Sequence, residues 1–196
     1  MEYAMNAIAP NRDRTMPDTS LSPRMRGPSW LARLLGRGAP PACQPLWHAC
    51  VGLARDKAWY TQGHIADTLA GRFDAVTLVL ALVLLRMEGE PALTEPAVRL
   101  TELFVDDMDG QLRESGVGDL VVGKHIGRLM SVLGGRLGAY RAGLAADDAA
   151  LAEALMRNTT LRPGADTTAL TGMARALAAR LAATPTPELL AGRIAA

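Results

Sequence analysis

The run AVTLVLALVLL, Ala75 to Leu85, carries no charge and is bounded by Asp74 and Arg86. It falls far short of the ~20 apolar residues a membrane span requires, so its place is inside the protein. Periodicity alone does not separate a buried strand from a buried helix. Two features select a helix: the segment Phe73 to Met87, charged only at Asp74 and Arg86, is long for a strand, and no other segment reads as a partner strand. A central helix, apolar all round, needs other helices to surround it.

The remainder of the 196 residues can supply them. Hydrophobic residues make up 49% of the chain but aromatic ones only 4%, so the core is built from Leu, Val, Ala and Met. Such side chains suit helices packed through aliphatic ridges better than an aromatic-rich sheet. After the link Gly38 to Pro45, a helix is expected from Leu46 to about Gln62, and Gly63 to Arg72 reads as a loop with a brief turn. Beyond the central helix, amphipathic spacing predicts helices over about Val98–Arg113, Lys124–Leu144, Asp147–Arg157, Thr167–Ala183 and Pro187–Ile194. GVGDLVVG, Gly116 to Gly123, is a break, and the pair Pro185 and Pro187 is another. The expected fold is all-α: one multi-helix domain over residues 46–196, preceded by an arm. Residues 1–27, interrupted by Pro10, Pro17 and Pro23, read as disordered. Residues 28–45 hold a short basic amphipathic helix and a linker. There Trp30, Leu31, Leu34 and Leu35 share one face and Arg33 and Arg37 the other, a pattern that suits either an anionic membrane surface or docking on the domain itself.

Charge excludes some functions. Lys+Arg 21 against Asp+Glu 20 leaves +1, so the chain has no general nucleic-acid footprint and no DNA partner is expected. Cys43 and Cys50 stand two helical turns apart, too far for a disulfide within one helix, and read as reduced thiols. No secretory signal is visible, which with the short apolar run predicts a soluble or peripheral protein.

The stretch FVDDMDGQLRESGVGD, Phe104 to Asp119, concentrates the acids. On a helix, Glu102, Asp106, Asp109 and Arg113 form a solvated face opposite Leu100, Leu103, Phe104, Met108 and Leu112. Asp107 falls between Leu100 and Leu103, which predicts a buried carboxylate in need of a cation, and Arg72 and Arg136 are the candidates. Metal spacings fail: a calcium loop begun at Asp107 meets Gln111 and Leu112 where an oxygen ligand and Gly are needed, and DDxxD ends here in Gly110. His48, His64 and His125 are scattered, and no GxSxG, P-loop or GxGxxG occurs, so neither a catalytic constellation nor a cofactor or metal is expected.

In the helix from Lys124, small residues at Gly127, Ser131, Gly134, Gly138, Ala142 and Ala145 run beside an apolar stripe that includes Leu133, Leu137 and Tyr140. Each interior glycine costs ~1 kcal/mol relative to alanine, a cost offset where another helix approaches closely. That helix belongs either to this chain or to a partner.

Several longer pieces carry a resemblance. AWYTQGHIADTLAGRFD (Ala58–Asp74), the apolar helix ending LLRMEGE, FVDDMDGQLRESGVGDLVVGKHI (Phe104–Ile126), GGRLGAYRAGL (Gly134–Leu144) and ALMRN (Ala154–Asn158) stand in unbroken order. Together they resemble the ubiquinol–cytochrome c chaperone family, assembly factors of respiratory complex III, over 46–158. The resemblance implies an all-helical, non-catalytic chaperone that binds cytochrome b or an early complex III intermediate. It also implies a small partner protein of the kind mitochondrial relatives use. Alanine- and arginine-rich usage resembles a GC-rich bacterial genome, placing such a protein in the cytoplasm, peripheral on the inner membrane through Trp30, Leu31, Leu34 and Leu35. The client surface expected from the residues is a groove floored by Gly127, Gly134, Gly138 and Tyr140 and rimmed by Asp106, Asp109 and Arg113. The competing reading is a small helical metal-dependent enzyme acting on a prenyl or quinone-like substrate through Asp106, Asp107 and Asp109.

Overall fold

The computed structural model describes residues 43–114 and 122–195, with side chains over 43–110 and 127–195. The arm, the residues Trp30 to Leu35 expected to contact a membrane and the side chain of Arg113 lie outside the described residues. All the described residues fall within the unit Pro40–Ala196.

The expected first helix is two. α1 (Gln44–Ala54) ends where Asp56 leaves helical geometry at ψ 127, and the Asp56 carboxylate then accepts from Ala58 N to start α2 (Lys57–Thr61). Aspartate caps a helix more readily than it continues one, because its short carboxylate reaches the unpaired amides of the next turn. The carbonyls freed at the end of α1 are not left bare: Trp59 Nε1 donates to Leu53 O and the Tyr60 hydroxyl to Ala54 O.

α3 (Leu69–Met87) begins before the expected Phe73, because Thr68 Oγ1 accepts from Gly71 N and caps it. The turn before it is tight enough that a Cβ on Gly71 would sit 1.9 Å from Ala66 O. Thr77 to Leu84 are buried without interruption, more than two full turns, so α3 is enclosed on every side. Around it pack α1, α4 (Thr94–Glu114, entered through a 3-10 turn at Pro91–Leu93), α5 (Val122–Ala145) and α7 (Thr168–Ala183). α6 (Asp148–Asn158), capped by Asp147, folds back along α5, and α8 (Thr186–Leu190) closes against α1.

Among the described residues the strand-like pairing is a single bridge, Ile65 to Leu161. Ala66 N donates to Thr160 O and Arg162 N to His64 O, both at 2.9 Å, which ties the turn before α3 to the segment after α6. The fold is all-α, as the apolar run and the scarcity of aromatics predict. No helix among the described residues is long and apolar enough to cross a membrane.

Candidate functional site

A buried carboxylate exists, but it is Asp74. Its Oδ2 accepts from Thr160 N at 2.7 Å and from Thr160 Oγ1 at 2.6 Å, while Oδ1 accepts from Arg136 Nη2. The second arm of the guanidinium donates to Thr77 Oγ1, whose own proton goes to Phe73 O at 2.8 Å. Both ions are about nine-tenths buried, at 6% and 8% exposure. Arg136 Cζ also lies 5.5 Å above the Phe73 ring, a cation–π contact. Phe73 touches Phe104, and Phe104 meets Trp47 edge-on at 6.0 Å. One chain of contacts thus runs through α5, α3, α4 and α1. GRFD and GRLGAY, two of the most distinctive sequence motifs, meet here: the Asp of one pairs with the Arg of the other.

The expected pairing of Asp107 with Arg72 or Arg136 is therefore incorrect. Asp107 is exposed, and Arg72 pairs with Asp67 at 2.7 Å on the surface. The wheel places Asp107 correctly on the inner stripe of α4. What it leaves out is which neighbours cover each position: Leu100 and Phe104 are buried and Met108 packs against the core, while Asp107 between them is exposed. The signal for Asp74 was present in the sequence. An acid one turn into a helix that is apolar all round has nowhere to go but inside, and so needs a cation.

Tyr140 belongs to this interior and not to any groove floor. It is fully buried one turn after Arg136. Burial raises its phenol pKa, the Thr159 hydroxyl and then the Arg136 charge draw it partly back, and Asp74 adds a smaller upward push. The Tyr140 and Thr159 hydroxyls are near enough to influence each other yet fall outside hydrogen-bond geometry, and neither bonds to another described protein atom.

The small-residue ridge lies on the opposite side of α5. Leu133, Arg136, Tyr140 and Gly143 face inward. At 100° per residue the far side falls on Gly127, Ser131, Gly134, Gly138 and Ala145, and every one of these is exposed. A Cβ added at Gly127, Gly134, Gly135 or Gly138 would meet nothing within 4 Å. The glycine in close contact is Gly143, where a Cβ would come 2.8 Å from Leu151 Cα of α6. Among the described residues, therefore, no helix of this chain, α3 included, packs closely on the ridge. Met130, 43% exposed, borders the bare face. Asp106 is exposed and Asp109 half-buried on α4, which packs on α5.

Cys43 and Cys50 are free and buried, and burial pushes the Cys50 thiol up to about 12. Among the described residues no three His, Cys, Asp or Glu side chains gather closely enough to hold a metal ion. Asp106, Asp107 and Asp109 accordingly form no ligand set, because on a helix they point in three directions.

The class defined by this arrangement is an all-helical, single-domain body whose buried charges join helices and whose α5 presents a face left bare by the described residues. The chain belongs to the ubiquinol-cytochrome c chaperone family, whose model matches residues 61–196. Its structure is similar to that of the Cbp3 homolog from Brucella abortus, at 36% identity and a TM-score of 0.68, over 79% of this chain and 87% of that one. No curated protein matches the chain.

Proposed function

We propose that this protein is a non-catalytic assembly chaperone for the ubiquinol–cytochrome c reductase complex, holding cytochrome b or an early intermediate that contains it. The outer face of α5 is the client surface. The observation that carries this reading is that Gly127, Gly134 and Gly138 are exposed, with open space where their side chains would be. Glycine inside a helix costs about 1 kcal/mol relative to alanine. Among the described residues no packing offsets that cost, whereas an apolar client helix approaches closely along such a strip. The floor is Gly127, Gly134 and Gly138 without Tyr140, and Asp106, Asp109 and Arg113 of α4 are its charged rim. A small partner protein and peripheral contact with the cytoplasmic face of a bacterial inner membrane belong to the same reading.

The test is Gly134→Leu and Gly138→Leu in the full chain. Because both sites are open, the variants should melt at or above the parent temperature and yet fail to support cytochrome b maturation, read by haem spectroscopy of membranes. Full maturation with leucine at both positions sinks the assignment.

A further inference from the structure

The run that encloses α3 is apolar in every direction, and this leaves a question that hydrophobic burial does not answer. A helix with one apolar stripe is oriented by that stripe, but Thr77 to Leu84 are buried all round, so turning α3 about its axis exchanges one aliphatic contact for another. Something else must choose the rotation.

The two charges that bound the run both make buried or half-buried polar contacts. Asp74 meets Arg136 of α5 and Thr160 beyond α6. Three turns on, Arg86 donates from Nε to Leu181 O at 2.9 Å and from Nη2 to Thr184 O at 3.2 Å, with Nη1 on Glu90. Each contact is directional and has no substitute one residue away. A rotation of 100° would strand a carboxylate at one end and a guanidinium at the other.

We infer that Asp74 and Arg86 are positioning residues that fix the rotation and slide of α3, and through Arg136 the placement of α5, while contributing little net stability. Buried ion pairs are often neutral or unfavourable compared with apolar groups of the same volume, and their best-attested use is to specify register. The inference goes beyond the chaperone reading, since it concerns how the body holds its faces and stands whether or not α5 binds a client.

The experiment replaces the charges together: Asp74→Leu, Arg136→Met and Arg86→Met in the full chain. Spin labels are placed at Ala70→Cys on α3 and Ala179→Cys on α7, both exposed. The native thiols are buried and stay unlabelled. With the parent charges the interlabel distance distribution should be narrow. The triple apolar variant strands no ion, although Thr160 N, Leu181 O and Thr184 O lose their partners, so its melting temperature should fall by clearly less than that of Asp74→Ala alone while the distribution broadens or splits. A one-residue rotation moves a label on the helix surface by about 10 Å. Arg136→Lys, which keeps the charge and loses the fork, should show the reverse signature, a lower melting temperature with a narrow distribution. Either of two results overturns the inference. A narrow distribution in the triple variant means that aliphatic shape sets the rotation. Failure to fold, or a drop in melting temperature at least as large as that of Asp74→Ala, means that the charges are stabilisers.

Discussion

Removing the Asp74 carboxylate alone should be among the most damaging single changes in the body of this protein. In Asp74→Ala, Arg136 keeps its charge with a side chain only 10% exposed, and loses the carboxylate that neutralises it. Thr160 N and Thr160 Oγ1 lose their acceptor in the same step. Breaking a buried pair from one side costs about 3–5 kcal/mol, most of it the penalty of the stranded ion. For a domain of this size each kcal/mol moves the melting temperature by about 2–4 °C, so a fall of roughly 6–20 °C is expected. The control is Asp107→Ala: an exposed carboxylate should change stability by no more than ~0.5 kcal/mol. Urea denaturation of both variants, with the slope checked for constancy, separates the two cases. If Asp74→Ala costs under about 1 kcal/mol, or Asp107→Ala costs as much as Asp74→Ala, the assignment of the buried pair is wrong.

Gly71→Ala should destabilise strongly, since its Cβ would lie 1.9 Å from a backbone oxygen that cannot swing away; thermal melting beside Gly135→Ala, whose site is open, shows the contrast. Cys50, held at about 12 by burial, should resist a thiol reagent at pH 8 in the native state. It should react at the rate of global unfolding, and rapid labelling of the folded protein would contradict its placement. The carboxyls of Glu88 and Glu90 are held below the ordinary range by hydrogen bonds from Arg141 and Arg86. Their contribution is therefore present above the unfolded value and lost as pH falls through the lower folded one. Glu88→Gln with Glu90→Gln should flatten stability against pH on the acid side of that window, while an unchanged profile argues against both pairs. Truncation before Gln44 should release the protein from anionic liposomes without unfolding it, each lost arginine near the surface being worth about 1 kcal/mol; equal binding by both forms removes the arm from membrane contact.

What the sequence determined by itself is what local chemistry controls. An uncharged run too long for an ordinary strand and too short for a membrane had to be a buried helix, and prolines and acids punctuated the chain around it. Asp56 and Thr68 shifted helix boundaries by a few residues through capping, a contest between side chain and backbone that spacing alone reads imprecisely. The motifs GRFD and GRLGAY were legible as distinctive, and Asp74 and Arg136 both stood in plain view. Their pairing was not, because it depends on which helices lie side by side. The same limit explains Asp107 and the glycine ridge. A helical wheel assigns each residue a direction around its own axis, but only the packed structure decides how far along that axis a neighbour extends. On α4 the neighbours cover Phe104 and part of Met108 and leave Asp107 exposed, and on α5 the described neighbours cover Arg136 and Tyr140 and leave Gly127, Gly134 and Gly138 bare.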